Sequence, residues 1–411
     1  MERRSAETDQ LDVHSLHCFG IPMEVLRALV FEHGGDPRLL KLQTRGIIAG
    51  VCDPQKLLGS NGVISGPTGS GKTFLAEMRM LVRYFEVKNG GAACKPHIDE
   101  RPGKTVYLVP TRAIGLEKLG YFDGLYGQFG IKVRYSDGEF RTHDGDILRG
   151  KFDVAIIVNE KLRFFLLHNR EFFKPVSEVV IDEIGLISDK SRGPNLEITL
   201  AGLLTCPHKP TILALTTPLE SAVRLAESLD GFLVEDETRP IDIRTGIWSI
   251  SDGHLQYWSY NTLQAYPLES MGPEYPADKE EILKELVLRY RSAIMFALPS
   301  KDLVHRYAGH LLNLVTADTT VKNLMLGQTN SGLLEQRMRG LEATRNKEAL
   351  LQHLKSGIGF HHADLTPEER KEVESAFRNG EIPTVFCTST LARGVNLPAQ
   401  TVVFLGWGDK S

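Results

Sequence analysis

The residues with the clearest chemical meaning form one glycine-rich run, Gly66-Pro67-Thr68-Gly69-Ser70-Gly71-Lys72-Thr73. It follows the short apolar stretch Val63-Ile64-Ser65 and precedes a helix-like segment from Phe74 to Tyr84. Glycines in this context let backbone N–H groups approach phosphates, and the N-terminus of the helix adds partial positive charge. Lys72 is suited to the β and γ phosphates of ATP, and Thr73 to Mg²⁺. The run therefore predicts an ATP–Mg²⁺ site, and a fortuitous glycine turn is the alternative.

Two adjacent carboxylates, Asp182 and Glu183, follow the apolar run Val179-Val180-Ile181. At the carboxyl end of a strand they would face the ligand crevice of an open parallel sheet. Asp182 is predicted to hold Mg²⁺, and Glu183 to orient or deprotonate the attacking water. With Lys72 they are the predicted catalytic residues. A solvated turn is the alternative interpretation.

An amide and an aromatic residue precede the loop. Gln43 can pair with the edge of adenine through its donor and acceptor, and Phe19 can stack on the ring. The alternative is an ordinary surface glutamine and a core phenylalanine. Both interpretations remain open.

The elements that must position these residues alternate between strand and helix. Short apolar runs lie at 106–109, 154–158, 179–181 and 212–215, and again at 293–298, 358–361, 385–388 and 402–405, with helix-like stretches such as 366–378 between them. This alternation predicts an α/β protein with two parallel sheets. We place the domains at residues 1–240 and 241–411, with a hairpin over 247–260 that turns at Asp252-Gly253. The segment 261–278 is predicted to be a loop.

Composition indicates an ordinary globular enzyme rather than a fibrous or disordered chain, with 42% hydrophobic and 24% charged residues. The net charge of −4 does not favour a general polyanion surface, so any nucleic-acid contact must be a local patch. The five cysteines form no C-x-x-C pair, which argues against disulfides and a structural metal. We expect an intracellular protein with no membrane segment.

The order of these segments resembles superfamily 2 helicases of the DExH type, specifically the superkiller-type branch. The resemblance extends over nearly the whole chain. The matching segments are Phe19-Gly20-Ile21-Pro22 to Gln43 (adenine motif), 66–73 (motif I), 109–113 (Ia), 159–161 (Ib), 182–185 (II), 215–218 (III), 296–301 (IV), and Gly357 to Ala363 with Thr388 to Ala399 (V).

This resemblance implies two tandem RecA-like domains that bind ATP-Mg²⁺ between them and a single strand of RNA or DNA across both. It implies an ATP-dependent translocase or helicase that moves 3′ to 5′ along the strand. It is also compatible with the binding of partner proteins. Thr216 and Thr217 would couple ATP hydrolysis to movement along the strand. Gly394 and Asn396 would contact ATP. The implied strand contacts are Pro110, Thr111, Arg112, Glu160, Lys161, Ser300, Thr388 and Ser389.

Three departures from the branch pattern affect the expected activity. Gly185 stands where the branch has histidine, and Pro218 ends a motif III that normally reads Ser-Ala-Thr. The chain ends at Ser411 before an arginine-rich motif VI, which suggests an incomplete second domain and a truncated protein. Because arginine fingers contribute about 10³ to 10⁵ in rate, hydrolysis by this chain alone is expected to be weak.

Two further function classes stay open. An ATP-gated clamp would hold a strand or a partner protein without unwinding, and a phosphate-loop enzyme unrelated to nucleic acid would lack the second unit's motifs. His361-His362 could suggest a metal site and Arg393 an arginine finger, but packing and structural roles are preferred for them. Whether the strand is RNA or DNA is not determined by the sequence.

Overall fold

The computed structural model describes residues 11–88, 103–218, 220–249, 253–270, 279–290, 292–298, 300–326, 331–389, 391 and 397–405. Contacts divide the chain into two units, one of Met1–Gly246 with Tyr257–Tyr266 and one of Ile247–Gln256 with Pro267–Ser411. The domain boundary predicted at residue 240 precedes this division, because the hairpin that follows contributes residues to both units.

The first unit is built on a parallel sheet. Its strands are β1 (Gly62–Ser65), β2 (Lys104–Val109), β3 (Val133–Ser136), β4 (Val154–Val158), β5 (Val176–Ile181), β6 (Thr211–Thr216) and β7 (Phe232–Glu235). Within the described residues the sheet has the order β3-β4-β2-β5-β6-β1-β7, and every neighbouring pair is parallel. The predicted parallel sheet is confirmed. β3 and β7 were not predicted, since their sequences, VRYS and FLVE, carry polar residues.

Helices cover both faces of this sheet. They are α1 (Met23–Glu32), α2 (Lys41–Ala49), α3 (Lys72–Lys88), α4 (Arg112–Tyr126), α5 (Asp144–Leu148), α6 (Asn159–His168), α7 (Gly193–Leu204) and α8 (Ala222–Ser228), with 3₁₀ turns at Val13–Phe19, Gly127–Phe129, Arg170–Phe173 and Ile184–Ser188. One core holds Leu75 of α3 and Phe122 of α4, and the other holds Leu162 of α6 and Leu200 of α7. Because helices cover both faces, every residue of β1, β4 and β5 is buried, and the apolar run Val179–Ile181 of β5 shows no alternation.

A buried ion pair ties α3 to β5. The Arg79 guanidinium donates to Glu178 at 2.5 Å, and both side chains are 0% exposed. Arg79 also donates to the carbonyl oxygens of Leu57 and Ser60, at 2.9 and 2.6 Å. The loop that leads into β1 is therefore fastened to the helix that follows it.

A small sheet of three strands follows, as far as the described residues show. It comprises β8 (Arg244–Ser249), β9 (His254–Ser259) and β10 (Glu269–Ser270) in the order β10-β9-β8. Asp252 of the predicted turn lies outside the described residues, and Gly253 has φ +62°. β10 corrects the predicted loop over 261–278 at its two residues, and residues 271–278 of that loop lie outside the described residues. β10 pairs antiparallel with β9 through backbone groups, and two residues are too few to show a hydrophobic periodicity.

The second unit has its own parallel sheet, of β11 (Ala293–Ala297), β12 (Ile358–His361), β13 (Thr384–Cys387) and β14 (Thr401–Leu405), ordered β12-β13-β11-β14 in the described part of the chain. Its helices are α9 (Lys279–Arg289), α10 (Lys301–Ala317), α11 (Thr319–Leu326), α12 (Ser331–Arg339), α13 (Lys347–Lys355) and α14 (Pro367–Arg378). The predicted helix over 366–378 begins with a capping box, in which Thr366 and Glu369 bond each other's backbone N–H groups.

Candidate nucleotide-binding site

The glycine-rich loop connects the end of β1 to the first residue of α3, so backbone N–H groups at the start of α3 face the loop. Gly69 and Gly71 have φ of +83° and +87°, where a residue with a Cβ is strained. A Cβ at Gly66 would lie 2.7 Å from both Leu42 and the Ser70 hydroxyl. A side chain at these positions would strain the backbone or press on a neighbouring side chain, so this path of the loop favours glycine.

The polar side chains of the loop fit a phosphate ligand. The Lys72 ammonium donates to the carbonyl oxygens of Gly66 and Pro67 at 2.6 and 2.9 Å. Burial lowers the pKa of Lys72, although the carboxylates of Asp182 and Glu183 oppose this shift. The Ser70 hydroxyl is buried and has no hydrogen-bond partner among the described residues. Phosphate oxygens would accept from both groups, and the hydroxyl of Thr73 and carboxylate of Asp182 are the hard oxygen donors that Mg²⁺ prefers.

Gln43 lies against the phosphate loop. Its side-chain oxygen accepts from the backbone N–H of Leu40 at 2.7 Å, which caps the start of α2. Its amide end packs so close to Gly71 that a Cβ there would lie 2.2 Å from Nε2. The residue therefore joins the segment before β1 to the phosphate loop. Phe19, the predicted stacking residue, is partly buried against the core of the first unit.

This contact predicts different effects for two alanine substitutions in the loop. Both Gly69→Ala and Gly71→Ala place a Cβ at positive φ, but only the Cβ of Gly71→Ala meets Gln43, whereas nothing lies within 4 Å at Gly69. We expect Gly71→Ala to weaken binding of an ATP analogue by about tenfold more than Gly69→Ala, a difference of about 1.4 kcal/mol. Titration of both purified variants measures this difference. Equal affinities would show that Gln43 does not shape the loop.

Asp182 and Glu183 follow β5 as predicted. The Asp182 backbone N–H donates to Leu108 at 2.9 Å, which extends the pairing of β5 with β2. Glu183 has φ +54° and ψ +47°, a left-handed conformation that costs a non-glycine residue about 1 to 2 kcal/mol. Partial desolvation, and then the neighbouring Asp182 carboxylate, raise the pKa of Glu183. The raised pKa suits Glu183 to accept a proton.

Tyr107 and Lys118 were not singled out from the sequence, and both approach Asp182. The Tyr107 hydroxyl lies 3.3 Å and the Lys118 ammonium 3.9 Å from the Asp182 Oδ2 atom. Tyr107 occupies a buried strand and Lys118 a helix, 75 and 64 positions before Asp182 in the chain. No local pattern signals such contacts, which depend on the pairing of β2 with β5.

Thr216, at the end of β6, lies beside Gly185. A Cβ at Gly185 would lie 3.2 Å from the Thr216 hydroxyl, and that hydroxyl is buried without a partner among the described residues. β6 lies between β1 and β5, so Thr216 stands between the phosphate loop and the carboxylate pair. Thr217 is exposed. Gly185 has no side chain with which to bond this hydroxyl.

The predicted strand contacts of the first unit gather at the same sheet edge, because parallel strands place their carboxyl ends together. Pro110, Thr111 and Arg112 follow β2, and Glu160 and Lys161 lie in the first turn of α6 after β4. Thr111 caps α4 by accepting from Ile114. Arg112 pairs with Glu139 and, at 3.3 Å, with Asp137, while Lys161 pairs with Asp144. A polyanion would compete with these carboxylates.

In the second unit the corresponding residues also follow strand ends. Ser300 caps α10 by accepting from Leu303, and Thr388 and Ser389 follow β13, where the Thr388 N–H donates to His361 at 3.1 Å. Gly394, Asn396 and Arg393 lie outside the described residues.

The two adjacent histidines contact protein groups. His361 Nε2 lies 3.0 Å from Glu374, and His362 Nε2 lies 2.9 Å from the Nε2 of His305. No group of three potential metal ligands occurs among the described residues. The described cysteines, Cys18, Cys52, Cys206 and Cys387, are free thiols. Across the described ranges, no helix combines the length and apolar character needed to cross a membrane.

Two known families match the chain, the DEAD/DEAH box helicase over residues 52–225 and the helicase conserved C-terminal domain over residues 309–408. The ATP-dependent DNA helicase Hel308 of Methanococcus vannielii is 30% identical over 362 residues, which are 88% of this chain and 45% of that protein. Hel308 of Thermococcus kodakarensis is 29% identical over 90% of this chain and 29% of its own length, and Hel308 of Pyrococcus horikoshii is 28% identical over 91% and 46%. The chain spans less than half the length of each of these relatives.

The predicted resemblance to superfamily 2 is confirmed, as are the two parallel α/β domains. The first match includes the phosphate loop and the carboxylate pair, and the second includes Gly357 to Ala363 and the segment from Thr388. The chain therefore carries a DEAD/DEAH box helicase domain followed by a helicase conserved C-terminal domain, the domain pair of superfamily 2 helicases.

Proposed function

We propose that this chain is the ATP-hydrolysing core of a nucleic-acid translocase or helicase. The observation that carries this proposal is that the candidate nucleotide and strand contacts of the first unit lie together at one edge of its sheet. The ends of β1, β6 and β5 bear the phosphate loop, Thr216 and the carboxylate pair, and the ends of β2 and β4 bear the predicted strand contacts. Nucleotide and nucleic-acid strand would bind side by side on one sheet. A displacement of residues at one site would therefore be transmitted to the other site through adjacent β-strands.

On the nucleotide side, the phosphate contacts are proposed from the described geometry. Lys72 would exchange the Gly66 and Pro67 carbonyls for the β and γ phosphates, and the Ser70 hydroxyl, which has no partner among the described residues, would donate to a phosphate oxygen. Thr73 and Asp182 would hold Mg²⁺, which neutralises charge on the phosphates. Glu183 would orient the attacking water and take its proton. Gln43 and Phe19 would contact the adenine.

On the strand side, we propose single-stranded DNA, because the relatives are named as DNA helicases. Arg112 and Lys161 would bind phosphates, while Thr111, Ser300 and Thr388 offer hydroxyls. Such contacts position a strand without reading its bases. We place the chain in the superkiller-type branch, near the Hel308 helicases. We also propose that it moves along the strand in the 3′ to 5′ direction and that it is an intracellular protein.

The decisive experiment measures ATP turnover with and without single-stranded DNA, with single-stranded RNA as a second arm. We expect DNA to stimulate turnover, and Lys72→Ala to lower the stimulated rate about 100-fold, as loss of a charge-stabilising donor does. Binding should weaken steeply with salt, with a slope of about −0.7 per phosphate contact, and depend little on base sequence.

Each outcome separates the candidates. Turnover that ignores both nucleic acids, or binding that is insensitive to salt, contradicts the proposal. If only single-stranded RNA stimulated turnover, the proposed substrate would be RNA instead of DNA.

A second candidate, an ATP-gated clamp that holds a strand without unwinding it, is favoured by Gly185. The Thr216 hydroxyl beside it has no described partner, so the link between the carboxylate pair and the end of β6 lacks a hydrogen bond. Pro218, two residues later, also removes a backbone donor. Nucleotide-dependent strand binding without duplex unwinding would support the clamp, and unwinding by the chain would exclude it.

A further inference from the structure

A cluster of buried and partly buried polar side chains lies on the face of the first sheet that α3 and α4 cover. We call Glu77, Tyr107, Lys118, Tyr121 and Tyr126 the tyrosine cluster. Strand alternation places Tyr107 on this face, since Tyr107 and Val109 belong to the core with α3 and α4 whereas Val106 and Leu108 belong to the opposite core. Asp182 follows Val180 by two residues, and Val180 lies on the same face.

Tyr107 contacts Asp182, one of the residues predicted to hold Mg²⁺. Its hydroxyl donates to the Asp182 Oδ2 atom, at a distance of 3.3 Å. The Tyr107 side chain is buried at 1% exposure, so the surrounding core keeps the hydroxyl directed at this carboxylate.

Lys118 is the member of the cluster that approaches both Tyr107 and Asp182. The Lys118 ammonium lies 5.0 Å from the centre of the Tyr107 ring and 3.9 Å from Asp182. Glu77, one helical turn after Thr73, is buried and accepts from Tyr126 at 2.6 Å and from Tyr121 at 3.2 Å. Burial raises the pKa of Glu77, and the Lys118 ammonium opposes this shift. Within the cluster Glu77 is the acceptor for two tyrosines, and Tyr107 and Lys118 are directed at Asp182.

We propose that Tyr107 is a positioning residue that fixes the Asp182 carboxylate before the nucleotide binds, with Lys118 as the second group that approaches this carboxylate. This inference rests on the proposed function, since it assigns Asp182 to the Mg²⁺ site. It predicts a specific loss: without the hydroxyl, Mg²⁺ must itself order the Asp182 side chain, whereas the phosphate loop is unchanged. A tyrosine that only fills the core would show no such selectivity for the ion.

The test compares Tyr107→Phe with the unaltered chain in Mg²⁺ titrations of fluorescent ATP-analogue binding, without nucleic acid. We expect the half-saturating Mg²⁺ concentration to rise about tenfold, as for loss of a hydrogen bond to a charged group. Analogue affinity in EDTA should change less than about twofold. Tyr135→Phe is the matched control, because its buried hydroxyl also donates to a carboxylate, Asp137 at 2.6 Å, on a strand remote from the loop.

A double-mutant cycle identifies the route of the effect. If Tyr107 acts through Asp182, then Tyr107→Phe should add no further loss to Asp182→Asn. An unchanged Mg²⁺ response in Tyr107→Phe, an equal loss with and without Mg²⁺, or a full additional loss in the double variant would overturn the inference. Failure of the unaltered chain to bind the analogue would instead overturn the proposed function.

Discussion

Glu183→Gln should lower ATP turnover by about 10² to 10⁴-fold, the usual contribution of a general base, while leaving nucleotide affinity within a few-fold. The amide keeps the size of the side chain but cannot take a proton. Because the phosphate contacts proposed for Lys72 and Ser70 and the Mg²⁺ contact proposed for Thr73 do not include this carboxylate, binding and hydrolysis should separate. Steady-state turnover and analogue titration on the same protein measure both quantities.

The matched control is Glu227→Gln, which makes the same chemical change at an exposed position in α8. It should leave turnover unaltered. If Glu183→Gln retained full turnover, another group would have to activate the water.

The raised pKa of Glu183 also sets the pH dependence of turnover. Desolvation and the Asp182 carboxylate favour the protonated form, and only the deprotonated form can act as a base. Turnover should therefore rise with pH through a value above the ordinary glutamate pKa of about 4.3, and this acidic limb should disappear in Glu183→Gln. A limb at or below the ordinary value would contradict the described environment.

Glu178→Ala should lower the free energy of unfolding of the first unit by about 3 to 5 kcal/mol, as expected when one member of a buried ion pair is removed. The substitution leaves the Arg79 guanidinium, which is fully buried, without its carboxylate. Arg83, whose Nε lies 3.5 Å from the second Glu178 oxygen, loses the same counter-charge. Denaturant unfolding monitored by circular dichroism measures the change.

The control for this experiment is an exposed ion pair in the same unit. Arg149 lies 3.5 Å from Asp146 and is 65% exposed, so Arg149→Ala should change stability little, because water screens such pairs. A Glu178→Ala variant as stable as Arg149→Ala would mean that the buried guanidiniums find other partners.

The sequence by itself determined the features whose partners are close along the chain. Positive φ at Gly69 and Gly71, the strand before the loop and the helix after it are all encoded within about a dozen residues. The short apolar runs likewise determined two parallel sheets, because strands of a sheet that is buried on both faces need apolar residues on both sides. The identities of Lys72, Thr73, Asp182 and Glu183 as candidates followed from their places at the ends of these elements.

Only the tertiary structure decided which side chains meet across the sheet. The approach of Tyr107 to Asp182 spans 75 positions, and the bond from Arg79 to Glu178 spans 99. Both depend on strand order and register, which bring distant residues together and which no local pattern encodes. The acidic partners of Arg112 and Lys161 could not be predicted from the sequence for the same reason. Sequence determined the chemistry available at the nucleotide site, and the fold determined which groups hold it in place, because contact between distant residues is a property of packing.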